Sequence, residues 1–383
     1  MDLGKRLAWL LSALMVAAGC NDDSDKLPAS GKGTFVDYGY IPQQVDMESG
    51  ALFQAALYYQ NTVYVATSDG LWKNDLATKT WTRAGLEGKD LICIYQHSGQ
   101  PQTFFAGLGY NNSPETRTVY ISTDGCQTWN PATSPVYDNL DNRYEPYVCF
   151  AARPGYPNHI FANVGGGAMM AISKDGGQTW DRTNYAEESY MGYPCAIAFL
   201  PNDADHVYQS GEAPLDVSWL AKIEIDATDP VRQTSRTELF GIDDWENRRC
   251  NQLSFFSGVP NTLYVGQEGA LSKVTGNTFK FIFKSPIDEG DEGHDLPYSY
   301  IKGIWVDGEN PKHLLFGGRT QEEMSDLRLY ETFDEGKTIA HISDPMGMRD
   351  PDVVEILDTD TYPVVVVYDA AQSKVRLLMY QYK

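Results

Sequence analysis

Apolar residues in this chain fall in short runs that read as strands. Leu91-Ile92-Cys93-Ile94-Tyr95, Ala196-Ile197-Ala198-Phe199-Leu200 and Gly303-Ile304-Trp305-Val306 are rich in β-branched and aromatic residues and bounded by turn formers. That is the signature of a buried strand. Companion runs follow a few residues later, as in Val63-Tyr64-Val65-Ala66, Leu263-Tyr264-Val265-Gly266 and Leu314-Leu315-Phe316-Gly317. No segment sustains a helical period, so the pattern predicts an all-β chain.

Between such paired runs a phrase recurs: a small or Pro residue, a polar residue, Thr or His, then an apolar pair. It reads Gln60-Asn61-Thr62-Val63-Tyr64, Pro101-Gln102-Thr103-Phe104-Phe105, Pro157-Asn158-His159-Ile160-Phe161 and Ala204-Asp205-His206-Val207-Tyr208. It continues as Pro260-Asn261-Thr262-Leu263-Tyr264 and Pro311-Lys312-His313-Leu314-Leu315, with a degenerate last copy at Thr361-Tyr362-Pro363-Val364-Val365. A period of about fifty residues is that of a propeller blade, four short strands with their turns. The phrase is then the turn between a blade's first and second strands, and the fold expected is a seven-bladed β-propeller over residues 34–383. Too little chain follows the last phrase for two more strands, so Thr34-Phe35-Val36-Asp37-Tyr38 is expected to complete the last blade and close the ring.

A second motif shares the period. Ser122-Thr123-Asp124-Gly125-Cys126-Gln127-Thr128-Trp129 and Ser173-Lys174-Asp175-Gly176-Gly177-Gln178-Thr179-Trp180 fit one template, Thr332 to Ile339 fits it loosely, and Asn74 to Trp81 is a fourth candidate. These resemble Asp-boxes (BNR repeats), the S-x-D-x-G-x-T-W hairpins of sialidase-like propellers. The resemblance implies structural roles for Asp124, Asp175 and Asp334 on outer hairpins, away from any central site. It transfers no catalytic residue. Sialidases hold their substrate's carboxylate with three arginines, the first in an Arg-Ile-Pro motif, whereas here no Arg-Ile-Pro occurs and the first arginine after the N-terminal apolar stretch is Arg83.

The N-terminus carries an address. Lys5 and Arg6 precede the apolar stretch Leu7 to Ala18, and Ala17-Ala18-Gly19 stands immediately before Cys20. This is a secretory signal whose end resembles a bacterial lipobox, with Ala17 where Leu is usual. The expected organisation is a signal peptide over 1–19, a lipid on Cys20, a tether over 20–33 and the propeller over 34–383. The cluster Asn21-Asp22-Asp23-Ser24-Asp25 resembles the export signal of Bacteroidetes surface lipoproteins, so exposure on the outer membrane, held by lipid alone, is expected. Lys and Arg number 30 against 52 Asp and Glu, a net charge of −22. Such a surface repels nucleic acid and anionic membranes.

Several reactive residue types are absorbed by the repeat. His159, His206 and His313 occupy the slot that Thr62, Thr103 and Thr262 fill elsewhere, which suggests backbone capping. Cys93, Cys149, Cys195 and Cys250 fall in first strands, as buried thiols packing like small hydrophobes.

The loops leading into each first strand, and those joining second to third strands, build one face of a propeller. The first set holds Arg143, Tyr144, Glu145, Tyr147, Tyr190, Tyr193, Trp245, Arg248, His294, Tyr298, Tyr300, Asp350 and Asp352; the second holds Asp69, Glu212, Trp219, Glu268 and Arg319. Flat rings with polar tips suit sugars or another flat polar nutrient. The ligand-binding set expected is Arg143, Tyr144, Tyr147, Tyr190, Tyr193, Trp245, Arg248, Tyr298, Tyr300 and Arg319. Two functions fit. One is capture of a glycan or similar small polar ligand, with an outer-membrane importer as candidate partner. The other is a glycoside hydrolase or polysaccharide lyase using carboxylates among Glu145, Glu212, Glu268 and Asp350, or His294 beside a tyrosine. No cofactor is expected, except that Asp288, Asp291 and Asp295 lie in an acidic loop that calcium could use, although it lacks the EF-hand register.

Overall fold

The computed structural model describes residues 33–47, 54–109, 114–133, 146–164, 169–183, 193–213, 217–240, 250–284, 299–320, 327–344, 346–349 and 351–382. They form seven four-stranded antiparallel sheets, each built in chain order except for the last. We number the sheets as blades 1 to 7. Their inner strands are Ala56–Tyr59, Leu91–Gln96, Tyr147–Ala152, Tyr193–Phe199, Cys250–Ser254, Ser299–Val306 and Pro351–Leu357. The inner strands of blades 1 and 7 pack together and complete the ring. Every copy of the recurring phrase is the turn after an inner strand, as its sequence predicts. Phe104, Phe105, Phe150, Phe161, Tyr208, Tyr264, Phe316 and Tyr330 are fully buried, and burial of such rings is the main stabilising term. The predicted thiols Cys93, Cys149, Cys195 and Cys250 are buried in inner strands and form no disulfide.

The predicted N-terminal strand closes the ring. Thr34–Tyr40 is the fourth strand of blade 7, beside Lys374–Gln381, with Thr34 opposite Gln381 and Phe35 opposite Tyr380. Arg376 holds Asp37 through two hydrogen bonds of 3.0 and 2.6 Å, and its guanidinium is the leading reason that the acid is pulled below the usual carboxylate range. The Tyr380 hydroxyl accepts from the Gly33 amide at 3.1 Å and donates to Glu331 of blade 6 at 2.7 Å. Glu331 also meets His313 Nε2 at 2.9 Å, and His313 Nδ1 lies 3.2 Å from Asp307. The ring is thus tied shut through a buried polar chain.

The histidines do not cap backbone as expected. Asp203 accepts from the amides of Asp205 and His206, and Asp307 from those of Glu309 and Asn310. His206 and His313 bond those aspartates instead, and His159 Nδ1 is buried without a partner. The histidine that caps is His97, whose Nδ1 accepts from the amides of Gly99 and Gln100. Its Nε2 therefore carries the proton and donates to the Pro157 carbonyl of the next blade at 2.8 Å.

Three of the template turns share one geometry, each joining a third to a fourth strand. Ser122, Ser173 and Thr332 accept from the amides of Cys126, Gly177 and Gly336 at 2.7–2.9 Å. Asp124, Asp175 and Asp334 each bind the amide and hydroxyl of the following Thr128, Thr179 and Thr338. Two consecutive residues take left-handed backbone: Gly125 and Cys126, Gly176 and Gly177, Glu335 and Gly336. Asn74 to Trp81 departs from this pattern, since Asp75 caps the amides of Ala77 and Thr78 and only Lys79 is left-handed.

Replacing Tyr380 with Phe strips the buried Glu331 of a donor and Gly33 of an acceptor. Unfolding in urea should show a loss of about 1–3 kcal/mol with an unchanged slope; an unchanged midpoint would mean that the hydroxyl does not help to hold the ring closed.

Candidate functional site

A register irregularity recurs in the inner strands of blades 2 to 7. Each carries one extra residue, between Leu91 and Cys93, Tyr147 and Cys149, Pro194 and Ile197, Cys250 and Gln252, Ile301 and Gly303, and Val353 and Glu355. A bulge leaves one residue without a cross-strand partner and bends the strand. It also gives a common origin from which equivalent positions can be counted.

Counted from it, Tyr193 opposite Glu212, Tyr300 opposite Arg319 and Asp352 opposite Tyr368 are equivalent pairs, one step ahead of the last pair before the bulge. In blade 5 that last pair is Cys250 with Gln267, so Glu268 belongs to the same layer. Glu268 forms an isolated antiparallel bridge to Tyr300 of blade 6. Three residues singled out from sequence, Glu268, Tyr300 and Arg319, therefore meet at the mouth of adjacent blades. Glu268 and Tyr300 are half-buried and Arg319 is exposed.

Tyr147 does not belong with them. It forms the last pair before its bulge, opposite Val164, one step deeper than Tyr300. Alternation along a strand sends it to the other face. Its ring is 1% exposed and packs against Phe150 at 6.2 Å and Trp180 at 5.1 Å. Trp219, assigned from sequence to a face loop, is likewise buried, against Gly211 where no Cβ would fit. Asp69 is spent on Arg83, Gln43 and the Gly88 amide, and Arg83 is the leading reason that its acid is lowered.

Arg143, Tyr144, Glu145, Tyr190, Trp245, Arg248, His294, Tyr298 and Asp350 lie outside the described residues, as do Asp288, Asp291, Asp295 and Cys20. For Tyr193 and Glu212 the structure describes their backbone pairing with each other. Among the described residues no group of three or more His, Cys, Asp or Glu could hold a metal ion.

Beneath the mouth, polar side chains tie blades that are not neighbours. Gln54, ahead of blade 1, has left-handed backbone at φ 49°. Its carbonyl accepts from Ile94 of blade 2 at 2.8 Å. Its amide donates to the Phe150 carbonyl of blade 3 at 2.8 Å and accepts from the Phe150 amide at 3.0 Å. Across the ring, Gln252 of blade 5 donates to Glu355 of blade 7 at 3.2 Å. Blade 7 packs closely on Gly303 of blade 6, where a Cβ would lie 2.6 Å from Ile356. Lys302, the extra residue of the blade 6 bulge, is buried and reaches Asp352 at 3.2 Å. Asp352 Oδ1 has no hydrogen-bond partner. Burial pushes the acid of Glu355 up to about 8, against the opposing pull of the Ile356 amide and Lys302. At neutral pH it is mostly an uncharged acid.

Gln54, Gln252, Lys302 and Glu355 escaped the sequence reading. Lys302 and Glu355 left a signal, a charge inside an otherwise apolar strand in Tyr300-Ile301-Lys302-Gly303-Ile304 and Val353-Val354-Glu355-Ile356-Leu357.

No protein-family model matches the chain, and no curated protein matches it significantly in sequence. Solved structures match by shape. One is a chain of the mitotic checkpoint complex, 10% identical, with TM-score 0.59 and 95% of each chain covered. Another is YCF48 bound to a D1 peptide, 11% identical, with TM-score 0.56 and 92% of this chain covering 98% of that one. A GH74 enzyme of Niastella koreensis is 15% identical, with TM-score 0.55 and 92% of this chain covered; the chain spans only 52% of that enzyme. At these identities the likeness is one of fold.

Glu355 keeps its proton to about pH 8 when folded but has an ordinary value of 4.5. The unfolded chain therefore binds fewer protons in that window, so Glu355 lowers stability progressively as pH rises through it and adds nothing further above it. Glu355→Gln should flatten this dependence and gain on the order of 3 kcal/mol at about pH 7 relative to its value at low pH. Denaturation midpoints of variant and wild type that run parallel from about pH 5 to about pH 8 would contradict the assignment.

Proposed function

We propose that the protein is a lipid-anchored cell-surface propeller that captures a glycan, or a nutrient of similar shape, at the mouth formed by blades 5 to 7. The observation that carries this reading is the meeting of Glu268, Tyr300 and Arg319 in one layer. An aromatic ring beside a carboxylate and a guanidinium supplies a stacking face together with hydrogen-bond acceptors and donors, which is what a sugar ring requires.

The chain direction supports it. The closing strand follows Gly33, which is bonded to Tyr380, at the end where the turns between first and second strands lie. A tether running from Cys20 to Gly33 would leave from that end and turn the mouth away from the bilayer. The GH74 likeness adds an analogy to a carbohydrate-active fold, but YCF48 shares the shape and binds a peptide, so fold alone does not choose. Cleavage of the same glycan is the alternative to capture.

A glycan-array screen with product analysis separates the two: capture predicts retained, uncleaved glycan, and released reducing ends would make the protein an enzyme. With the glycan so found, Tyr300→Ala and Arg319→Ala should each weaken binding several-fold or more, as the loss of about 1 kcal/mol implies. Asp175→Ala should lower the melting temperature and leave affinity unchanged. Normal binding by both Tyr300→Ala and Trp245→Ala would move the site off the mouth. Cys20→Ala should release the protein from the membrane fraction; if it stays there, the lipid anchor is wrong.

A further inference from the structure

One ion pair joins blades 6 and 7 at the level of the mouth. Lys302 Nζ and Asp352 Oδ2 stand 3.2 Å apart, with 4% and 15% of the two side chains exposed. Lys302 is the extra residue of its bulge, so it has no cross-strand partner within blade 6, and its side chain crosses to the next blade. Asp352 occupies in blade 7 the position that Tyr300 occupies in blade 6, and the inner strands of the two blades pack together. The more exposed member of the pair is therefore the one in the mouth layer, while the nearly closed-off ammonium starts from a deeper position.

Much of the pair's hydrogen-bonding capacity is unused. An ammonium carries three N–H donors, and among the described residues Lys302 has the single acceptor Asp352 Oδ2. Asp352 Oδ1 is buried and accepts from nothing. Glu355 does not make up the difference: Lys302 acts on it by charge alone, and it keeps its proton at neutral pH. Buried polar atoms are rarely left in this state. Two spare donors beside one spare acceptor call for two acceptors and one donor held close together. Two neighbouring hydroxyls supply them. The first accepts from Lys302 and donates to Asp352 Oδ1, and the second accepts from Lys302.

We propose that Lys302 and Asp352 clasp a vicinal diol of the bound sugar, with Asp352 Oδ1 as the acceptor that decides which edge of the ring faces inward. This rests on the glycan reading of the mouth and narrows it: the sugar presents an edge with two free, adjacent hydroxyls. A carboxylate at that edge brings no donor for Asp352 Oδ1. A ring substituted or deoxygenated at either carbon leaves buried polar atoms unpaired, and a site built on hydrogen bonds rejects such analogues strongly.

The test uses the whole protein and the methyl glycosides of glucose, galactose and mannose, each intact and lacking one hydroxyl, titrated by ligand-observed NMR. One intact glycoside should bind saturably. Loss of either member of one neighbouring hydroxyl pair should weaken it about fivefold or more, and loss of any other hydroxyl less. Asp352→Asn turns its amide oxygen to Lys302 and leaves N–H where an acceptor stood. It should weaken the intact glycoside to a similar degree, and the form lacking the shared hydroxyl should then bind no worse than the intact one. That comparison is between sugars on one protein, so a fall in stability does not imitate it. Full affinity in Asp352→Asn while Tyr300→Ala weakens binding, or losses from the variant and from deoxygenation that multiply, would make the pair a hydrated structural tie and overturn the proposal with the mouth intact. Wild type that loses less than twofold for every missing hydroxyl would overturn it without any variant. So would no saturable binding of all three glycosides, and the glycan array then judges the mouth by itself.

Discussion

The structure depends on a strand from one end of the chain pairing with the last strand from the other. Until Thr34–Tyr40 lies against Lys374–Gln381, blade 7 has three strands and an open edge, and no neighbouring blade can supply the missing hydrogen bonds. The contact spans nearly the whole sequence, so its closure entropy is large. Burial of Tyr380 between blades and the chain from Gly33 through Tyr380 and Glu331 to His313 offset it.

Closure sets where each inner strand stands, and the bulges then decide which side chains face the mouth. One residue of register is the difference between Tyr300, which shares a layer with Arg319 and Glu268, and Tyr147, which is packed beneath Trp180. The cross-ties from Gln54 to blade 3 and from Gln252 to blade 7 lie below that layer and hold blades at fixed separation without touching the mouth. The uncharged Glu355 is the cost of this arrangement: a buried acid with an amide partner that stays protonated instead of burying an ion.

The fold was legible because its signals are local and repeated. The turn phrase, the Ser-x-Asp-Gly turns and the shortage of chain after Val365 each correspond to a feature of the structure. The site was legible only in part. Which loops face the mouth follows from strand order, but which tyrosine faces outward depends on a bulge that no residue type announces, hence the misplacement of Tyr147. Gln54 was invisible for a similar reason: its role rests on a left-handed backbone conformation and a partner nearly a hundred residues away. The histidine slot misled because Asp203 and Asp307, a few residues upstream, already perform the capping.

The central claim is that ligand binds in the layer counted from the bulges of blades 5 to 7. Hydrogen–deuterium exchange with and without the bound glycan tests it most directly. Protection is predicted at 266–270, 299–303 and 317–320, which hold Glu268, Tyr300 and Arg319, with no change in the outer turns at 122–129 and 173–180. Protection confined to those outer turns, with blades 5 to 7 exchanging as before, would contradict the account.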